Sequence, residues 1–376
     1  MGFSNNINTT ERSVNFFEGF CKRLQYMNSN NISSKKRRGV TIVDVARASG
    51  VSYTTVSRVL SGYEFVSETA RTRVMKAVEN LGYVANLQAR SLKGGRSQVI
   101  GLLVPNLDNG YVGTITQGID QELARANYDL MLYTSHRHPG KESAYVNAIL
   151  NGLTDGLLLV APLIPASYVN ALRDHNYPYV LIDQTDVSEN SNVVESTNWQ
   201  GAYDATCYLI QLGHTQIAFI KGSDAVRSAI DRLQGYKAAI ADHNIPLRED
   251  LVIEGDYQQQ TGYEATKRLL QREGLCPSAI FASNDLAAFG AMDAARECGL
   301  RIPNDISIVG FDDVPQTSFV YPKLTTVRQP LEQMGQLAVK ILLQQIDGQS
   351  HPPQRVALAT HLIIRDSCGP YQAQRN

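Results

Sequence analysis

The chain has 376 residues, 43% of them apolar, enough for two or three domains with cores of their own. No apolar run approaches the ~18–20 residues that span a bilayer, so no membrane partner is expected. The net charge of −1 hides a division: residues 1–98 hold 15 Lys and Arg against 6 Asp and Glu, and the remainder 20 against 30, a basic head suited to a polyanion and an acidic body with another task.

Residues 1–38 are rich in Asn and Ser, with no pattern beyond a short helical stretch at SVNFFEGFCKRL, and are predicted to be a disordered extension. Met27, followed by NSNNISSKKRRG, is an alternative start of the chain. The polar opening MGFSNNINTTERSVNFFEGF lacks signal-peptide character, and the five scattered cysteines, odd in number and without CxxC spacing, suit neither a disulfide framework nor structural zinc. A cytoplasmic chain is expected.

Residues 39–84 read as three helices. Thr41 with Asp44 forms a capping box before Ile42, Val45 and Ala46, and Gly50 ends the helix. Ser52 caps a second helix over Tyr53–Leu60, and Ser67 a third over Glu68–Leu81 that stops at Gly82. Residues 85–97, with NLQARSLKGG, read as a short linker helix that is unstable alone. From residue 98 the texture changes. Strand-length apolar runs alternate with helical segments: QVIGLLV, YDLMLYT, DGLLLVA and PYVLID, then QIAFIKG, SAIFASND and ISIVGFDD. Continuous apolar strands separated by helices imply parallel sheets, here two of them. Ligands of such sheets bind beyond the carboxyl ends of the strands, where PNLDNGY, TSHRH, IDQTD, KGSD, SNDL and GFDD lie.

The first two helices fit a helix–turn–helix. An ordinary helical hairpin would not explain why the second helix turns Tyr53, Thr54, Thr55, Ser57 and Arg58 outward, all capable of hydrogen bonds, in a module where residues 35–96 carry 12 basic and 4 acidic residues. Arg58 suits a bidentate contact to guanine, and Tyr53 and Thr54 suit base edges or a thymine methyl. Thr41, Ser52 and Lys35–Arg38 suit phosphates, which position without specifying sequence.

The segments VTIVDVARASGVSYTTVSRVLSG, VSETARTRVMKAVENLGYVAN and ARSLKGGRS, followed in order by IGLLVPNLDNGY, LGHTQIAFIKG, RLQGYKAAI, PSAIFASNDLAAFGAM, GLRIPNDISIVGFDDV and PKLTTVRQPLEQMG, resemble the lactose/galactose-repressor (LacI/GalR) family of bacterial transcription regulators. The likeness covers roughly residues 39–366. It implies an α/β protein: an N-terminal all-α helix–turn–helix head plus hinge helix, followed by a periplasmic-binding-protein-like core of two doubly wound parallel-sheet subdomains. The core would occupy 98–370, with one subdomain at about 98–195 and 326–350 and the other at about 196–325 and 351–368. The resemblance further implies a homodimer or tetramer on a pseudo-palindromic operator, and a hinge leucine driven into the minor groove. Leu92 matches that leucine, with Asn86 and Ala89 ahead of it; wedge insertion costs a few kcal/mol of unstacking. VAN at 84–86 departs from the family's form with Pro before Asn.

By the same resemblance, Arg232 in RLQGY and Asp312 in GFDD grip a small effector, commonly a sugar; a guanidinium and a carboxylate bracket vicinal hydroxyls in fixed geometry. Asn198 and Asn284 add donor–acceptor pairs, and Tyr111 and Tyr257 match aromatic positions that stack on a ring. Thr197 stands where family members often have Asp. The competing roles are structural: Asp312 as a turn cap, Arg232 bridging Asp231 or Glu264 at the surface, and Trp199 as packing. His136, His138 and Asp129 do not make a metal site, since a third ligand at usable spacing is lacking. KGGRS lacks the phosphate-loop pattern, and no GxSxG, GxGxxG after a strand or HExxH occurs. Neither a cofactor nor an enzyme activity is expected. A sugar-transport receptor would share the core but would need a signal peptide and no basic head.

Overall fold

The structure, a computed structural model, describes residues 40–60, 63, 65–83, 96–107, 110–150, 153–163, 166–184, 190–272, 277–349 and 352–372. The chain divides into two compact units, Met1–Asn86 and Leu87–Asn376.

The first unit contains α1 (Ile42–Ser49), α2 (Tyr53–Leu60) and α3 (Glu68–Leu81). Local chemistry sets their ends. The Asp44 carboxylate accepts the Thr41 backbone N–H at 2.9 Å while Thr41 Oγ1 accepts the Asp44 N–H at 3.4 Å, so the capping box closes with Asp in place of Glu. Gly50 adopts the left-handed conformation, φ +66°, and ends α1. Ser52 Oγ accepts the Thr55 N–H at 3.1 Å and Ser67 Oγ the Ala70 N–H at 3.3 Å, each satisfying an amide that the first helical turn leaves unpaired. Val45, Val56, Val59, Val74 and Ala77 form the core between the helices, which leaves the polar face of α2 outward.

The second unit is two α/β lobes. β1 (Val99–Val104), α4 (Gly110–Arg125), β2 (Asp129–Thr134), α5 (Pro139–Ile149), β3 (Gly156–Val160), α6 (Ala166–Asp174), β4 (Tyr179–Ile182) and β5 (Val193–Ser196) begin the first lobe. The chain crosses to the second through α7 (Asn198–Gln211), β6 (Ile217–Ile220), α8 (Arg227–Asp242), β7 (Val252–Ile253), α9 (Gln259–Leu270), β8 (Ala279–Ala282), α10 (Asp285–Glu297), β9 (Ser307–Asp312) and β10 (Thr325–Arg328). It returns through α11 (Leu331–Ile346) and β11 (Arg355–Leu358) and crosses again to β12 (His361–Ile363).

Six strands form each sheet, in the orders β11-β5-β4-β3-β1-β2 and β12-β10-β9-β8-β6-β7. All neighbouring pairs are parallel except β10 with β12. Helices cover both faces, which is why the central strands β1, β3, β4, β6, β8 and β9 are buried along their whole length. In the first lobe α4 and α11 pack on one face through Ile115, Ile119, Met334 and Ala338, and α5 and α6 on the other through Val146, Ile149, Val169 and Leu172. α4 and α11 meet at two glycines. A Cβ on Gly118 would overlap the Glu332 carbonyl, and one on Gly335 the Ile115 carbonyl, so only glycine permits this approach.

The expected division of the core is corrected at its second half. β10 lies beside β9, which puts residues 326–328 in the second lobe rather than the first. β11 pairs with β5, Arg355 opposite Val193, so the first lobe extends to Leu358 and does not end at 350. β11 fills the open edge that β5 would otherwise present.

Candidate functional site

On α2, Thr54 and Arg58 are exposed, and Tyr53, Thr55 and Ser57 partly so, while Val56 and Val59 face the core. The five residues expected to face outward therefore share the solvent side of one helix. The guanidinium carbon of Arg58 stands 5.5 Å from the centroid of the Tyr63 ring, and Tyr63 makes an edge contact with Phe65, itself 85% exposed. Thr41 and Ser52 are exposed at the N-termini of α1 and α2, with their hydroxyls engaged in capping. Both positions sit where helix dipoles favour anions. Asn86, Ala89 and Leu92, with most of the expected 85–97 hinge, lie outside the described residues.

Between the two lobes of the second unit lies a narrow cleft. Pro105, Tyr111, Arg137 and Ala161 line it from the first lobe, and Val226, Arg232, Tyr257, Asn284 and Asp312 from the second. These residues stand at or just beyond the carboxyl ends of the parallel strands, or on the helices that follow them. Strain gathers there as well. Of the eleven non-glycine residues with positive φ among those described, seven (His136, Arg137, Ala161, Asp183, Tyr257, Asp312 and Asp313) follow strand ends at this rim, and such backbone costs of order 1–3 kcal/mol per residue unless its surroundings impose it.

Arg232 is the hub. It is 2% exposed; its Nε donates to Asn198 Oδ1 at 2.8 Å, its Nη1 donates to the Ser283 carbonyl, and the same nitrogen lies 3.5 Å from Asp312 Oδ1. The guanidinium lies 3.8 Å from the centroid of the Phe311 ring. A surface bridge to Asp231 is thereby excluded; Asp231 pairs with Arg227 instead. Asp312 accepts from Gln329 Nε2 at 2.7 Å through Oδ1. Its buried carboxyl is pushed upward by desolvation, against the pull of Arg232. Asp183 is buried and raised for the same reasons, and accepts from Asn198 Nδ2 at 3.1 Å and the Tyr111 hydroxyl at 2.9 Å. Burial also raises Tyr111, followed by the Asp183 charge, so its phenol stays a donor. For Arg232, burial alone would lower the pKa; Tyr257, Asp312 and Asp183 outweigh it and hold the guanidinium charged.

Four of the six residues expected in the cleft thus present side chains to it: Tyr111, Arg232, Tyr257 and Asp312. Asn284 also lines it, but its amide is taken on both sides, capping α10 through Ala287 N–H at 2.9 Å and donating to the Tyr257 carbonyl at 3.0 Å. Asn198 is not among the lining residues. It stands behind them and bridges Arg232 to Asp183, so it orients the guanidinium. Trp199 stacks on Tyr203 with centroids 5.2 Å apart, a packing role. Sequence reasoning missed Asp183, Gln329 and Arg137. IDQTD and TSHRH placed two of them at strand ends, whereas Gln329 enters only because the chain crosses between lobes beside Asp312. Gln184 also ties the lobes, donating to the Ala225 carbonyl at 3.1 Å and accepting the Arg227 N–H at 3.3 Å. No group of three potential metal ligands occurs among the described residues, and no helix there is long and apolar enough to cross a membrane.

Comparison with known proteins accounts for both units. The model for bacterial regulatory proteins of the lacI family matches residues 41–86, and that for periplasmic-binding-protein-like domains matches 206–368. The HTH-type transcriptional repressor PurR of Yersinia pestis (strain Pestoides F) is 34% identical over 339 residues, 89% of this chain and 99% of that protein. The crystal structure of the Lac repressor dimer bound to operator and the anti-inducer ONPF superposes with a TM-score of 0.76 at 31% identity, over 88% of this chain and all of that one. The regulator CelR in complex with cellobiose gives 0.67 at 31% identity, over 87% and 99%. With helix–turn–helix and two-lobed core both matched over nearly the full length of such relatives, the chain belongs to the lacI family of bacterial regulatory proteins, effector-controlled DNA-binding repressors and not enzymes.

Proposed function

We propose that the chain acts as a homodimer in the bacterial cytoplasm, on a pseudo-palindromic operator, and that a sugar or sugar derivative held in the cleft shifts it between DNA-competent and DNA-incompetent states. The observation that carries the effector reading is the buried Arg232–Asp312 pair at the strand ends. The one side-chain hydrogen bond that Asp312 accepts among the described residues goes to Oδ1, from Gln329, and the buried Tyr257 hydroxyl faces the same cleft. A carboxylate oxygen, a guanidinium and an aromatic face within one cleft match the acceptors, donors and apolar ring face that a polyhydroxylated ring needs. Support also comes from relatives solved with sugars, CelR with cellobiose and an Enterococcus faecium lacI-family regulator with ribose. At the other end, Tyr53, Thr54 and Arg58 read bases from the outward face they share with Thr55 and Ser57, Thr41 and Ser52 hold phosphates, and Leu92, with Asn86 and Ala89, wedges the minor groove.

Selection of genomic fragments on the full chain tests the reading. One recurrent inverted repeat is expected, and a panel of mono- and disaccharides should contain a member that changes affinity for it by about 5- to 150-fold, the ordinary range of allosteric coupling. A set of fragments without a common repeat, or a repeat whose affinity no sugar alters, overturns it.

A further inference from the structure

Resting on the reading of the cleft as a carbohydrate site, we propose that the effector carries an acidic group, held by Arg137. The cleft contains two guanidiniums, each with its central carbon 5.9 Å from the Tyr257 ring centroid. Arg232 is compensated by Asp312 at 3.5 Å, and its Nε is taken by Asn198. Arg137 has no such compensation. Among the described residues it makes no ion pair, and its Nε is buried without a hydrogen bond. A guanidinium has five donors and no acceptor, and a buried donor left unmade costs more than one left in water. The Tyr257 ring does not repay that cost, since 5.9 Å is near the outer limit for an attraction between a cation and a ring.

The backbone fixes this cation at the rim. His136 and Arg137 both adopt positive φ, +51° and +54°, held by the Ser135 N–H to Val104 carbonyl bond and the His138 N–H to Ser135 carbonyl bond on either side. A planar guanidinium fork at this rim matches a carboxylate or a phosphate bidentately. The two lobes then offer opposite ends. The second lobe presents Asp312 to hydroxyls, and the first presents Arg137 to an anion. A neutral sugar would satisfy the first and leave the second bare.

Titration calorimetry on the full-length protein, wild type and Arg137→Met, tests the assignment with matched probes: glucose and galactose against glucuronate and galacturonate, and glucose and ribose against their terminal phosphates. The expected result is an acidic member that binds roughly tenfold or more tightly than its neutral parent and loses that advantage in Arg137→Met. Arg137→Lys should retain part of a phosphate preference and little of a carboxylate preference, because it keeps the charge and loses the fork. The melting temperature without ligand should be at or above that of wild type, since among the described residues the replaced head makes no hydrogen bond or ion pair that would be lost and its buried Nε lacks a hydrogen bond. The carboxylate and phosphate arms identify which acid is taken. A neutral sugar bound equally by both proteins overturns the inference and leaves the carbohydrate reading standing, as does an acidic sugar whose advantage survives in Arg137→Met. An acidic ligand of another class that depends on Arg137 keeps the acid and overturns the sugar. A panel in which no acidic member binds overturns the inference outright.

Discussion

Asp312 holds its carboxyl 4% exposed, on backbone at φ +120°, beside Arg232 and the buried Asp183 and Asp285. Burial pushes it up to about 7, with the Arg232 guanidinium pulling the other way. The sign follows from proton counting. A carboxyl raised in the folded state binds a proton that the unfolded chain, with a reference near ~3.9, has already released. Its contribution to stability is therefore present at low pH and lost as pH rises through the folded value. Effector binding runs the other way, because a hydroxyl donating to Oδ2 favours the ionised form. Affinity should rise as pH is raised through about 7, with proton release on binding, and calorimetry in buffers of different ionisation enthalpy measures both. Asp312→Asn should bind weakly and show no such slope; a slope that persists assigns the proton to Asp183 instead.

Arg58, exposed on α2 and laid over Tyr63, supplies the second prediction at this scale. Arg58→Ala should lose discrimination worth ~1–3 kcal/mol at one base position while effector binding stays intact, as competition between operator and scrambled duplexes would show. Unchanged discrimination removes Arg58 from the reading set. Arg58 was legible because it lies on the outward side of a capped helix, and Asp312 because GFDD, at a strand's carboxyl end, carries the resemblance to the lacI family. Asp183, Gln329 and Arg137 were not, since their roles depend on which elements the crossings bring together.

Elements were legible where their causes are local. The bounds of α1, α2 and α3 follow from Thr41, Ser52 and Ser67 at their starts and from Gly50 and Gly82 after the first and third, all visible within a few residues. The central strands announced themselves because burial on both faces demands continuous apolar runs. β7, two residues long, and β11, alternating exposed and half-buried, carry no such signal. β11 exists because the edge of β5 is open to it, which no window of sequence contains, and the misplaced boundary at 350 came from that. Helix packing gives the element-scale test. Gly118 and Gly113 lie on the same helix, α4, but only Gly118 faces backbone of α11; a Cβ at Gly113 meets nothing within 4 Å. Gly118→Ala should destabilise the Leu87–Asn376 unit by about 1–3 kcal/mol through overpacking. Gly113→Ala should stabilise it by about 0.5–1 kcal/mol, the ordinary gain of alanine in a helix interior. Chemical denaturation of the two variants should give opposite signs, and matching signs would mean that the α4–α11 approach is not set by the glycine.

At the scale of the molecule, the charge division assigns the two tasks to different parts of one chain. The acidic remainder beyond residue 98, with 20 basic against 30 acidic residues, repels a phosphate backbone, so nonspecific attraction to DNA must come from the basic head alone. If each of the dimer's two headpieces neutralises roughly six phosphates, the logarithm of nonspecific affinity should fall with the logarithm of salt concentration at a slope of about −11. On the proposed two-state reading, an effector acting through the cleft changes how the headpieces are presented and not what charge they carry. It should therefore change operator affinity while leaving the salt slope on random duplex as it was. Fluorescence anisotropy on both duplexes across a salt series, with and without effector, separates the two quantities. A nonspecific slope near zero removes the head as the electrostatic anchor. A nonspecific slope that the effector itself shifts means the cleft controls how many phosphates the protein touches, and the two-state account in which charge and sensing are separate would have to be abandoned.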